Sequence, residues 1–378
     1  MNANGQPAGA RIERLRLADF RSYTALDWQP AGRIVALEGP NGSGKTNLLE
    51  AISLLAPGRG LRGARFAELA RRAPEASGGW AVAARIVRGE DGQEFDFGTG
   101  IEPSQPERRR ILLDGEPIPA SAAAEHFACV WLTPQMDRLF TEGAPARRRF
   151  LDRLTIALAP GHAREVAAFE AASANRNRLI EQGGSDPVWL ATIEESMARH
   201  AAALTASRLD LIARLNDALA AGVAAPFPPA ILALDCPIGA RLREAPALAV
   251  EDWLRETYAV ARNAAQVPSS PQRADFLLAD RTSGLPASLA STGQQRAMLV
   301  AIVLAHLAAV TQLRGAAPVL LLDEPFVHLD AAHRAALGAA LTRSPAQIFC
   351  TATEHESLAT LGDDAMVWRV APGLIEPA

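Results

Sequence analysis

Apolar and polar positions alternate through residues 11–38, with Ile12, Leu15 and Leu17 and later Ile34, Val35 and Leu37 on the apolar side. That period predicts two strands flanking a turn near Pro30, Ala31 and Gly32. The second strand runs directly into a glycine-rich stretch. Behind it Leu48, Leu49, Ile52 and Leu55 recur at helical spacing, and Pro57-Gly58 ends the run, so strand, loop and helix follow one another.

Three short strand-like segments, 81–87, 94–99 and 110–113, are separated by Gly89 to Gly92 and by a Pro-rich turn, the pattern of an antiparallel subsheet. A further strand, 128–132, leads into Thr133, Pro134 and Gln135. From 145 to 223 the chain becomes rich in Ala, Arg and Glu at helical spacing, broken only at Pro160-Gly161 and between Gly183 and Pro187. Residues 188–223 read as one helix of roughly 50 Å. Connectors follow at 224–229 and 267–271. The last third returns to an α/β pattern: helix 293–314, strand 319–322, helix 331–342, strand 347–351 and a last strand near Val367. Both ends therefore contribute to one α/β head, 1–144 plus 268–378, interrupted by an inserted α-helical arm, 145–267. No internal repeat or low-complexity tract stands out.

Composition narrows this little. A chain of 378 residues with 49% hydrophobic and 21% charged residues reads as a soluble globular protein of two structural units. Its formal charge of −4 leaves any nucleic-acid surface to a local basic patch. Cys129, Cys236 and Cys350 are far apart and have no ligand spacing, as expected of reduced, buried thiols. The N-terminal residues lack the basic start and apolar run of a signal peptide. The apolar run 297–310 carries His306 and is shorter than the roughly 20 residues of a bilayer span. It reads as a core helix of a cytoplasmic protein.

The glycine-rich stretch is Gly39, Pro40, Asn41, Gly42, Ser43, Gly44, Lys45, Thr46 and Asn47. It fits the phosphate-loop pattern Gly-x-x-x-x-Gly-Lys-Ser/Thr in the strand-to-helix context that pattern requires. Glycines let backbone N–H groups turn inward, and the helix start adds favourable charge for phosphate. Lys45 reaches the β- and γ-phosphates of ATP in such a loop, and Thr46 holds Mg²⁺. Lys45 is also the single lysine among 38 Lys and Arg residues, as if a planar Arg fork could not replace it here. Downstream, the apolar strand 319–322 ends in Asp323-Glu324-Pro325. Asp323 at the strand's end is a metal candidate beside Thr46, and Glu324 a candidate to orient or deprotonate water. A third element, Ser291-Thr292-Gly293-Gln294-Gln295, opens a long apolar helix with a capping box, and a capped N-terminus is also an anion site.

These three elements, in this order, resemble the ABC-type ATPases. The resemblance implies that Ser291, Gly293 and Gln294 form a signature that meets, in trans, the nucleotide of a second copy. It makes Asp330 the D-loop residue and Gln135 the Q-loop candidate. The long interval between Lys45 and Ser291 is similar to the chromosome-maintenance and recombination branch. Leu15 to Tyr23, Gly42 to Ile52, Pro57 to Arg62, Arg147 to Asp152 and Ser291 to Arg296 resemble the bacterial RecF family. That resemblance implies ATP-dependent homodimerisation on duplex DNA near single-strand gaps, slow DNA-stimulated ATP hydrolysis, and RecA loading with RecR and RecO in DNA repair and the SOS response. Departures are Gln135 and Gln272 where the family has an acidic residue and His, Ala274 where it has Asp, and Asp323-Glu324 where Asp-Asp is common.

Arg59, Arg62 and Arg65 behind the phosphate helix, with Arg147 and Arg148, are the DNA-contact candidates. His355 lies in the region of a switch histidine but reads as a surface residue. Two other functions fit parts of the pattern: an ABC-type ATPase driving a protein or membrane partner without DNA, and a P-loop hydrolase acting alone.

Overall fold

The computed structural model describes residues 9–89, 92–182, 186–263 and 269–378. The start of the chain, the centre of the 89–92 turn, most of the break before Pro187 and the first part of the 267–271 connector lie outside them.

The chain opens with β1 (Arg11–Phe20), β2 (Tyr23–Trp28) and β3 (Ile34–Glu38), then α1 (Lys45–Ser53). Where two strands are expected before the glycine loop, there are three. The extra reversal is made by Asp19 and Arg21 at positive φ, a turn with no Gly or Asn to announce it. Next come β4 (Trp80–Arg88), β5 (Gln93–Ile101), β6 (Arg110–Leu113), β7 (Glu116–Pro117), α2 (Ala123–His126) and β8 (Cys129–Leu132). Then follow α3 (Ala144–Leu158), α4 (His162–Glu181), α5 (Pro187–Ala220), β9 (Ala230–Asp235), α6 (Pro237–Leu242), α7 (Ala247–Val260) and β10 (Asp275–Asp280). The chain ends with α8 (Thr292–Arg314), β11 (Val319–Leu322), α9 (Ala331–Arg343), β12 (Ile348–Ala352), β13 (Ala365–Ala371) and β14 (Leu374–Pro377).

Among the described residues two compact units result, one drawn from 9–137, 218–229 and 290–378, the other from 138–217 and 230–289. The first unit holds two six-stranded sheets. In the antiparallel sheet, ordered β2-β1-β4-β5-β6-β7, β1 alternates its apolar residues inward. The other has the order β14-β13-β3-β12-β11-β8, and all of its strands but β14 run parallel. Its inner strands are buried on both faces, which explains why Val319–Leu322 and Ile348–Ala352 are apolar without alternation. Gln347 joins the sheets: its side chain accepts from Ile12 N at 2.7 Å and donates to Ile12 O at 3.1 Å. Helix α8 is apolar and long enough to cross a bilayer, but residues 295–307 are buried in this unit.

The second unit is not all helical. β9 and β10 form a two-stranded antiparallel sheet in register from Asp275↔Asp235 to Asp280↔Ala230. Residues 138–144 and 269–289, expected in the head, lie in the second unit, the latter beside the β9–β10 pairing, while 218–229 cluster with the first. A strand whose partner lies some forty residues away leaves no local trace of which unit it joins.

Candidate nucleotide site

The parallel sheet places the ends of β3, β12, β11 and β8 along one edge, where an open α/β sheet binds its ligand. The glycine loop fills the turn between β3 and α1, and three of its glycines have backbone geometry that side chains resist. Gly44, the N-cap of α1, has φ 111°, and a Cβ there would sit 2.8 Å from the Tyr23 hydroxyl. Gly39 has φ 154° and would meet Val370 O at 2.4 Å. A Cβ on Gly42 would meet nothing within 4 Å, so the loop is open on that side. The first amides of α1 have no partner within the helix, and Ser43 Oγ is buried and, among the described residues, makes no hydrogen bond.

Lys45 is buried at the base of this loop, its Nζ donating to Gly39 O at 2.5 Å and to Pro40 O at 3.0 Å. Burial pulls its pKa below the ordinary lysine value, and Glu324 and Asp323 oppose that shift. Thr46 Oγ1 donates to Asp323 Oδ1 at 3.0 Å, so the phosphate loop and the end of β11 meet although β12 separates β3 from β11 in the sheet. β12 supplies the third member. Thr351 Oγ1 donates to Asp323 Oδ1 at 2.8 Å and accepts from Glu324 N at 3.0 Å. Glu324 has φ 48°, a conformation uncommon outside glycine.

Arg296, fully buried on α8, holds the other side of this corner. It donates to Thr133 O, Asp137 Oδ1 and Glu324 O, each at 3.0 Å. Burial raises the pKa of Asp137, against the pull of Arg296. Neither Thr351 nor Arg296 stands out in the sequence, because one ends an ordinary strand and the other looks like a helix-surface arginine. The available signals were an arginine near the start of a mostly apolar helix and its place at the end of the stretch Ser291 to Arg296.

The remaining site candidates are placed as follows. Gln135 lies on a 3₁₀ turn, Pro134–Arg138, directly after β8, with its side chain exposed. Ser291 N-caps α8, and the capping box is complete: Ser291 N donates to Gln294 Oε1 at 2.9 Å and Gln294 N to Ser291 Oγ at 3.3 Å. Gly293 sits in that first turn, where a Cβ would come 3.6 Å from His328 O. Asp330 N-caps α9, its carboxylate accepting from His333 N and pairing with the His333 ring, both at 2.8 Å. His355 is 72% exposed and pairs with Glu38 at 2.8 Å.

The arginine candidates divide. Arg59, Arg62 and Arg65 are exposed. Arg62 is nevertheless anchored, donating to Asn47 Oδ1 at 2.8 Å and to Glu50 Oε2 at 3.1 Å. Glu50 is fully buried on α1 and also takes a two-point contact from Arg21 at 2.8 and 2.9 Å. Arg109 pins the loop after α1 through the carbonyls of Leu54, Ala56 and Gly58, and burial pushes its guanidinium down to about 10. In the second unit Arg147 grips Asp275 at 2.7 and 2.9 Å, and Arg148 donates to Ala274 O at 2.8 Å. Both therefore have architectural partners.

Comparison with known proteins fits this architecture. Residues 11–371 match the family model for the RecF/RecN/SMC N-terminal domain. The chain is 41% identical to the DNA replication and repair protein RecF of Mesorhizobium japonicum over 98% of this chain and 99% of that one. It is 42% identical to RecF of Rhizobium rhizogenes over 96% and 97%. A solved structure of the recombination mediator protein RecF with ATP, in the RecFOR pathway, superposes with a TM-score of 0.82 at 21% identity, over 98% of this chain and all of that one. A structure of an Smc head bound to the C-terminal winged-helix domain of ScpA shares the fold at a TM-score of 0.54, over 97% and 96% of the two chains. A full-length family match and relatives above 40% identity lead to one conclusion: this chain belongs to the RecF/RecN/SMC N-terminal-domain family, among the RecF DNA replication and repair proteins.

Proposed function

We propose that the chain is an ATP-dependent DNA-binding ATPase of recombinational repair, in which ATP closes two copies on duplex DNA near single-strand gaps and slow, DNA-stimulated hydrolysis releases them. The observation that carries this reading is the convergence of Lys45, Thr46, Asp323 and Glu324 on one sheet edge, with Thr46 Oγ1 3.0 Å from Asp323 Oδ1. A hydroxyl and a carboxylate meeting there are the hard oxygen donors that Mg²⁺ takes beside phosphates. Thr46 and Asp323 would hold the ion, and it would neutralise charge on the transferred phosphate. The loop from Gly39 to Asn47 cradles the triphosphate, and Lys45 supplies a slim cation for the β- and γ-oxygens. Glu324, fixed by Thr351 and Arg296 at its backbone, orients and deprotonates the attacking water. Gln135 follows the neighbouring strand as the Q-loop residue.

Ser291, Gly293 and Gln294 complete the site of a second copy, and Asp330 joins them from the D-loop. Their support is an exposed, fully capped helix start whose amides suit a γ-phosphate. ATP then acts as the latch of a homodimer. On the DNA side Arg59 and Arg65 are the freest of the arginine candidates, and Arg62 offers what remains of a guanidinium anchored to Glu50. The family reading adds cytoplasmic partnership with RecR and RecO in loading RecA.

The test uses Glu324→Gln, which keeps the side chain's shape and removes the base. With ATP and duplex DNA it is expected to sediment as a trapped dimer, and the complex is expected to weaken steeply as salt rises, because arginine–phosphate contacts release counterions. A monomer under all these conditions would sink the clamp. A dimer that ignores DNA at every salt concentration would favour an ABC-type ATPase driving another protein or a membrane partner.

A further inference from the structure

Two stretches that stand out in the sequence, 147–152 and 271–275, have no part in the nucleotide chemistry, yet the second unit brings them together. Arg147 holds Asp275 at two points, Arg148 holds Ala274 O, and Arg208 bridges Asp152 to Pro271 O at 2.8 Å. Beside this lock opens a cavity of about 620 Å³, within the size range of small-molecule sites.

The charges on its wall are unequal. Asp152 is already engaged by Arg208 at 2.7 and 2.8 Å and by His162 at 2.9 Å, and Arg176 by Glu194 at 3.0 Å. Arg148, Arg149 and Arg273 also line the cavity, and among the described residues none of them has a carboxylate partner. Burial first and then the neighbouring Arg208 push the Arg148 guanidinium below its usual range; Asp275 and Asp152 oppose that shift without cancelling it, and Arg149 adds to it. Guanidiniums that repel one another in a partly desolvated recess are stabilised by an incoming anion. The back wall is different: Phe169 and Met197, 2% and 1% exposed, give it an apolar face.

We propose that this cavity is a second phosphate site, which takes a phosphate-bearing ligand of nucleotide size between Arg148, Arg149 and Arg273 with its apolar part toward Phe169 and Met197. Arginine forks match phosphate oxygens in pairs, and an aromatic beside a cationic rim accommodates a base. Among the described wall residues Glu170 is the one carboxylate without an arginine partner; partial desolvation and nearby Asp152 already disfavour its charged form, and the negative charge it keeps opposes the ligand.

The experiment uses the full chain carrying Lys45→Ala, which disables the phosphate loop. It is titrated by calorimetry with inorganic phosphate, with deoxycytidine monophosphate, and with a thymidine dinucleotide whose only phosphate is a diester. Saturable one-to-one binding is expected, at least tenfold weaker in Arg149→Ala/Arg273→Ala and several-fold tighter in Glu170→Gln. Both arginines are exposed and, among the described residues, without ion-pair partners, so the double variant is expected to keep its melting temperature. Binding of inorganic phosphate and the nucleoside monophosphate assigns the site to a free nucleotide or phosphate, and binding of the dinucleotide alone assigns it to a nucleic-acid strand. Absence of saturable binding by all three, or an affinity indifferent to the double variant, would overturn the proposal.

Discussion

Thr351 donates its hydroxyl hydrogen to Asp323 Oδ1 at 2.8 Å while its oxygen accepts the amide of Glu324 at 3.0 Å, so one buried side chain fixes two neighbouring acids. Thr351→Val keeps the shape and removes both hydrogen bonds, which costs about 1–3 kcal/mol in a buried setting. ATP turnover is expected to fall at least tenfold while nucleotide affinity changes much less, and Thr351→Ser to recover most of the turnover. Steady-state hydrolysis beside equilibrium nucleotide binding checks this. An unchanged turnover in Thr351→Val would remove Thr351 from the mechanism.

Lys45 reaches the carbonyls of Gly39 and Pro40 from a buried position. A guanidinium is planar and wider, and its fork does not fit where a single ammonium does. Lys45→Arg is therefore expected to lose at least tenfold in nucleotide affinity, about 1.4 kcal/mol. Fluorescent-nucleotide titration measures it, with thermal denaturation as the check that the fold survives.

Ser291 is both a helix cap and a signature candidate, and Ser291→Arg separates those roles by magnitude. Losing the cap costs about 1 kcal/mol, a shift of only a few degrees for a chain of this size. ATP-driven dimerisation in sedimentation is expected to vanish altogether. If Ser291→Arg still dimerises with ATP, the P-loop hydrolase acting alone becomes the better reading.

Asp19, at φ 46° in the turn between β1 and β2, accepts from Ser77 N at 3.0 Å and Arg71 Nε at 2.9 Å. The Ser77 amide first, then Arg71, hold its carboxyl down to about 2, below the unfolded value of about 3.9. Folding therefore favours the ionised form. That stabilisation is full above the unfolded value and is lost as pH falls through 4 toward 2. Asp19→Asn is expected to lower the melting temperature at neutral pH, with a deficit that shrinks steadily and is mostly gone once pH reaches about 2. Thermal melts across that interval provide the measurement, and a deficit that persists undiminished at the acid end would contradict it.

The local elements were written in the chain. Gly39 to Asn47 between a strand and a helix, an apolar strand closing on Asp323-Glu324, and the Ser291–Gln294 capping box are each short-range patterns, because loop conformation, burial on both sheet faces and helix capping are set by neighbouring residues. Most of the strands and the long helices follow from the same periodicities.

What needed the tertiary structure were the relations between distant residues. The hairpin turn at Asp19 and Arg21 uses positive φ without glycine, and the β9–β10 pairing joins strands far apart in the chain. Thr351 and Arg296 acquire their roles only because β12 lies between β3 and β11 and because α8 packs beside β8. Likewise Arg62 and Arg147 look free in sequence, and only the buried carboxylate of Glu50 and the carboxylate of Asp275 reveal their structural duty. A sequence determines which groups exist and what their neighbours make them do. Sheet order and long-range packing decide which of those groups meet, because side-chain contact depends on three-dimensional proximity and not on spacing along the chain.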